Sequence, residues 1–156
     1  MSLKESLRTD LTTAIRGRDE LVAATLRMVL TAVTTEEVAG TTQRQLSDDE
    51  VQQVIAKEAK KRREAAAAYQ QAGREELAAR ERAELGVLER YLPAQLTDEQ
   101  IAALVAEAVA TTGASSPRQL GQVMKALAPQ VAGRADGGAV AAAVRAALAD
   151  GTAAAG

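Results

Sequence analysis

The chain has 156 residues and a net charge of −2, with 47% apolar residues, no Phe, no Trp and two Tyr. Aromatic-rich β-sandwiches and base-stacking platforms both need ring-bearing strands, so neither is available. The absence of Cys and His excludes disulfides, thiol nucleophiles, imidazole bases and Cys- or His-ligated zinc.

Alanine alone accounts for 36 residues, and Leu, Glu, Arg and Gln supply much of the remainder. These are strong helix formers, so the composition predicts an all-α fold. No segment approaches the length of apolar sequence that a membrane span needs, and no apolar run follows a basic N-terminus. A cytoplasmic protein without membrane attachment is the expectation.

The first helix is predicted to open at Ser2, with Glu5 at capping-box spacing, and carries Leu3, Leu7, Leu11 and Ile15 on one narrow stripe. Arg16-Gly17-Arg18 ends it, and Asp19 caps a second helix whose face is Val22, Leu26, Val29, Leu30 and Val33. Gly40 to Leu46 breaks the periodicity. Ser47 with Glu50 then opens a long helix through Val51, Val54, Ile55 and Tyr69, interrupted at Ala72-Gly73. A further stripe through Leu77, Leu85, Leu88 and Leu92 runs to Pro93. Gly86 lies inside it, at a cost of about 1 kcal/mol relative to Ala.

The segment 93–96 reads as a linker between an N-terminal helical domain (1–92) and a three-helix tail (97–150). In the tail, Thr97 caps a helix bearing Ile101, Leu104, Val105 and Ala108, closed by Gly113. Ser116-Pro117 opens the next, with Leu120, Val123, Met124 and Leu127, and Pro129 is expected to end it. The turn Gly133 to Gly138 precedes a last helix with Val140, Val144 and Leu148. Residues 151–156 are small and unpatterned and are expected to be disordered.

Charge separates the two parts. Fifteen of the 19 basic residues precede residue 93. Glu58 and Arg62 fall on the apolar stripe of Val51 and Ile55, while Glu36 and Glu37 extend the stripe of the second helix. The spacing predicts a buried charge cluster of Glu36, Glu37, Glu58 and Arg62, either as a structural ion pair or as a ligand site. The run Lys57, Lys60, Lys61, Arg62, Arg63 winds around its helix and reads as a solvated face. In the tail, Gly121 lies mid-helix, where glycine permits close approach by a ligand or another backbone. Asp136 is the predicted cap of the final helix, which places Arg134 at an exposed turn beside a helix N-terminus, a ready site for an anion. No phosphate-binding glycine loop and no metal-ligand spacing is present, so catalytic residues, metal and cofactors are all expected to be absent.

Several strings carry a resemblance. Leu26-Arg27-Met28, Glu36-Glu37-Val38 and Lys60-Lys61-Arg62-Arg63-Glu64 lie in the N-terminal part, with Tyr69 to Leu77 and Leu88 to Leu96 following. Gly121-Gln122-Val123-Met124-Lys125 and Gly133-Arg134-Ala135-Asp136-Gly137 lie in the tail. Together they resemble the YqeY-like (GatB/YqeY) family, up to residue 149. The resemblance implies a helical N-terminal domain joined to a module similar to the C-terminal tail of the B subunit of tRNA-dependent amidotransferase, which helps hold tRNA. It thus implies an accessory tRNA-binding or amidotransferase-associated protein, with tRNA or a tRNA-processing or aminoacylation protein as partner. Gly121, Lys125, Arg134 and Asp136 are then the contact residues. Gln122 and Gly138 stand where relatives frequently carry lysine. Two alternatives are a helical protein-interaction module without RNA binding, and the glutamine-dependent carbon–nitrogen ligase activity attached to such chains as a family label.

Overall fold

Capping chemistry sets where the helices begin. In the computed structural model, which describes residues 1–155, the Ser2 and Glu5 side chains close a reciprocal capping box at the head of α1 (Leu3–Arg16). Asp19 accepts from the Val22 amide to open α2 (Glu20–Glu37), and Ser47 with Glu50 repeats the capping box ahead of α3 (Asp48–Gln71). α4 (Glu75–Glu89) follows a tight turn, α5 (Asp98–Thr112) starts from a Thr97–Gln100 capping box, and α6 (Leu120–Val131) and α7 (Gly137–Ala155) complete the fold. The described residues contain no strand: the protein is all-α.

The chain divides into two compact units, Met1–Pro93 and Ala94–Gly156. In the first, Leu7, Leu26, Val29, Val33, Val51, Ile55, Ala59 and Leu88 form a fully enclosed core contributed by all four helices. The α3–α4 pair is an antiparallel hairpin, its helices joined through Ala72-Gly73-Arg74. In the second unit, Val123, Leu127, Val140 and Val144 are sealed from solvent, with Ile101, Val105 and Leu148 around them. Among the described residues no helix is long and apolar enough to cross a membrane.

Several boundaries differ from the expectations of sequence. Ile15, placed on the α1 stripe, is 49% exposed, because a four-residue repeat drifts around a helix of 3.6 residues per turn. Pro129 does not end α6; it lies within the last turn, and the helix continues to Val131. A proline that close to the end removes one backbone hydrogen bond without blocking the remaining residues. α4 stops at Glu89 rather than at Pro93, because the amides of Arg90, Tyr91 and Leu92 bond to carbonyls three residues back and tighten the chain into turns. α7 runs to Ala155. Gly156 lies outside the described residues.

Two turns close in the same way and differ in one residue. After α3, the amide of Gly73 donates to the Gln70 carbonyl and that of Arg74 to Tyr69, with Gly73 at φ +75°. After α1, the amide of Arg18 donates to Ile15 and that of Asp19 to Ala14, but the left-handed residue is Arg18, at φ 57°. This helix-ending pattern needs one left-handed residue, which glycine adopts freely. Arg18 takes it at a cost of about 1 kcal/mol, with Gly17 one position too early to help. No other described non-glycine residue has positive φ.

Candidate functional site

The sequence-predicted residues fall into two groups, one in each unit. In the N-terminal unit, Arg62 projects from α3 against α4 with only 17% of its side chain exposed. Its guanidinium lies 3.3 Å from Glu58 on its own helix, 3.5 Å from Glu81 and 3.5 Å from Glu84. The Nε stands near Glu84 without the alignment of a hydrogen bond. One terminal nitrogen also meets the sulfur of Met28 on α2. Lys61 pairs with Glu58 at 3.0 Å, and Arg80 with Glu84 at 3.5 Å. Three carboxylates thus alternate with three cations across the hairpin, and the network balances its own charge.

Glu36 and Glu37 do not join it. Glu36 is half exposed and lies 3.9 Å from Lys57. Glu37 is buried, but it faces α1: its carboxylate accepts from Lys4 and, at 3.3 Å, from the amide of Leu46. The backbone carbonyl of Glu37 also receives the Arg44 amide, so this residue pins the loop that leads into α3. The Lys4 hydrogen bond holds the Glu37 carboxyl below the ordinary carboxylate range, against the opposing effect of desolvation. The predicted four-residue cluster is therefore two separate arrangements. Helical phase located the buried charges but could not reveal which helix faced which.

The partners of Arg62 on α4 carry a signal in the sequence. Residues equidistant from the turn of an antiparallel hairpin face one another, and Arg62 and Glu84 stand equally far before and after Gly73. Glu81 lies one turn from Glu84 on the same face. Apart from this network, Tyr91 donates its hydroxyl to Asp10 at 2.6 Å, and burial together with that bond pushes its ionisation upward.

In the tail, Arg134 is not the free anion-binding arginine that sequence suggested. Its Nε donates to the Ala94 carbonyl at 3.1 Å and one terminal nitrogen to Gln130 at 3.4 Å. The Arg134 carbonyl accepts from the Leu96 amide at 2.8 Å, and the Gly133 carbonyl from the Gln95 side chain at 3.0 Å. Arg134 is a clasp that holds residues 94–96 to the turn after α6. Residues 94–96, read from sequence as linker, are thus hydrogen-bonded into this unit. Asp136 accepts from the Ala139 amide at 3.3 Å, the cap expected of it.

Gly121 and Lys125 are both exposed on α6. A Cβ built on Gly121 would meet nothing within 4 Å, so no internal packing requires the glycine. Gln122 is exposed on the same helix, and Arg118 is exposed in the 3-10 turn Pro117–Gln119 that leads into it. Arg118, Lys125 and Arg145 have no ion-pair partner among the described residues. The same residues include no group of His, Cys, Asp or Glu arranged to hold a metal.

The described residues thus form an all-helical chain of two small cores, with a charge network between α3 and α4. The model of the Yqey-like protein family (YqeY) matches residues 4–148, and the chain belongs to that family. No curated protein matches it in sequence.

Proposed function

We propose that the protein is an accessory factor that binds tRNA through its C-terminal tail and makes or breaks no bonds by itself. The observation that carries this reading is the start of α6: Arg118, in the 3-10 turn just before the helix, and Lys125, on it, are exposed with no ion-pair partner among the described residues, and an open Gly121 lies between them in sequence. Two guanidinium or ammonium groups one helical surface apart can straddle a phosphate backbone, and a glycine between them lets that backbone approach the helix closely. Family membership supports the same reading, since the tail resembles the amidotransferase segment that helps hold tRNA. Arg134 and Asp136 belong to the reading as the residues that shape the neighbouring turn, not as phosphate contacts.

A ligase acting alone is disfavoured by the inventory of side chains. Without Cys or His, a nucleophile and base would have to come from carboxylates, and the buried ones face cations. Association with an amidotransferase follows from the tRNA reading as a consequence of a shared substrate.

The test is fluorescence anisotropy of labelled tRNA with the full chain across a salt series. Few phosphate contacts give a shallow dependence, with a slope of log K against log salt no steeper than about −3. Arg118→Glu combined with Lys125→Glu should abolish binding at low salt. Binding unchanged by that pair, or absent from the parent protein at low salt, would overturn the reading, as would turnover of glutamine by the purified chain.

A further inference from the structure

We propose that the cleft at the α1–α2 turn is a docking site for an acidic amphipathic segment of a partner protein. The cleft has a volume of about 800 Å³, within the range that receives several side chains at once. Ile15 and Leu21 form apolar walls, and Arg18, Arg27 and Arg80 stand around them. Arg18 and Arg27 are exposed and have no ion-pair partner among the described residues, while Arg80 shares Glu84 within the α3–α4 network.

Arg18 is the telling residue. The equivalent turn after α3 places Gly73 at the left-handed position, and a glycine at position 18 would relieve the strain there. An arginine held in that conformation at the mouth of a cleft sacrifices stability for its location, and strained backbone of this kind gathers where ligands bind. Ile15 adds a second cost, since nearly half of this large apolar side chain faces water beside the same cleft.

Charge and polarity select the occupant. Asp19 and Glu20 also line the cleft, so a uniformly anionic phosphate backbone meets repulsion along part of its path. No aromatic ring lines the cleft for a base to stack upon. A peptide with carboxylates spaced along one edge can meet the arginines, keep neutral residues beside Asp19 and Glu20, and set an apolar side chain against Ile15 and Leu21. This site belongs to the N-terminal unit, and the proposal stands whether or not the tail binds tRNA.

The experiment is a display selection of random short peptides on the full-length protein, followed by anisotropy with the synthesised consensus peptide. Enriched sequences should combine Asp or Glu with Leu, Ile or Met, and the peptide should shift the amide resonances of Ile15 and Leu21. Arg27→Glu and Arg18→Gly should each weaken it about tenfold or more, while Arg74→Glu, outside the cleft, should not. Arg18→Gly should also raise the melting temperature, which separates lost binding from lost folding. The proposal is overturned by a selection that enriches no acidic motif, by affinities equal across the variants, or by Arg74→Glu weakening the peptide as much. It is equally overturned if tRNA rather than peptide shifts Ile15 and Leu21, or if the parent forms a dimer that Arg27→Glu dissociates, which gives the cleft to a second copy.

Discussion

Ion pairs thread the N-terminal unit, from Lys4–Glu37 at one side of its core to Arg62 and its three glutamates between α3 and α4. In the tail, Arg118, Lys125 and Arg145 have no ion-pair partner among the described residues, and the clasp at Arg134 works through backbone carbonyls instead. Both units enclose a core of aliphatic side chains. The difference lies in what surrounds that core. Where charge is neutralised internally it specifies how helices pair, and where it is left free it remains available to something outside the molecule.

The largest effects test the feature that the units share. Leu88→Ala and Leu127→Ala each empty a fully enclosed site, and each should cost about 2–5 kcal/mol in urea denaturation. A markedly smaller loss for Leu127→Ala would mean that the tail relies less on packing than its burial indicates. Next comes the charge network. Arg62→Met leaves Glu58, Glu81 and Glu84 without their shared cation and should destabilise the chain by about 2 kcal/mol. High salt should restore part of that loss by screening the remaining carboxylates. Combining Arg118→Ala with Lys125→Ala should change stability by less than about 0.5 kcal/mol, because neither exposed side chain has an ion-pair partner among the described residues.

A smaller pair of substitutions sharpens the contrast further. Gly86 and Gly121 both lie within helices, and a Cβ at either would meet nothing within 4 Å. Replacement by alanine should therefore stabilise each by about 0.5–1 kcal/mol. Only Gly121→Ala should weaken tRNA binding. If neither does, the openness of Gly121 has no bearing on a ligand.

The gentlest effect is a pH dependence. Glu37 keeps its charge in the folded protein at pH values where the unfolded chain has taken up a proton, so its contribution is present above about pH 4.5. It is lost as pH falls through the lower folded value. Glu5 and Glu50, held down chiefly by the amides of Ser2 and Ser47, act in the same direction. The fall in the urea midpoint on acidification should be less steep in Glu37→Gln than in the parent. Equal slopes would show that Lys4 and the Leu46 amide do not govern Glu37.

Helix identity was legible because its determinants are local. The capping boxes at Ser2, Ser47 and Thr97 require only a hydroxyl and a carboxylate or amide three residues on, and all three formed. The all-α class followed from composition for the same reason. Contacts between helices were harder to read. That Arg62 is partly buried follows from its phase beside Val51 and Ile55, yet its pairing with Glu81 and Glu84 depends on the hairpin geometry about Gly73. The Arg134 clasp is not legible in the sequence because a backbone carbonyl leaves no mark there; nothing about Ala94 or Gln130 announces a guanidinium acceptor. The α1–α2 cleft is not legible in the sequence because the strain that marks it belongs to a φ angle at Arg18, not to a residue type.

That clasp also dictates where the molecule can be cut. A fragment beginning at Thr97 would discard the carbonyl of Ala94 and the amide of Leu96, unbuckling Arg134 and stripping Leu96 from the apolar surface it covers. A fragment beginning at Ala94 keeps every one of those bonds, so an expression trial of the tail by itself should start there, just after Pro93.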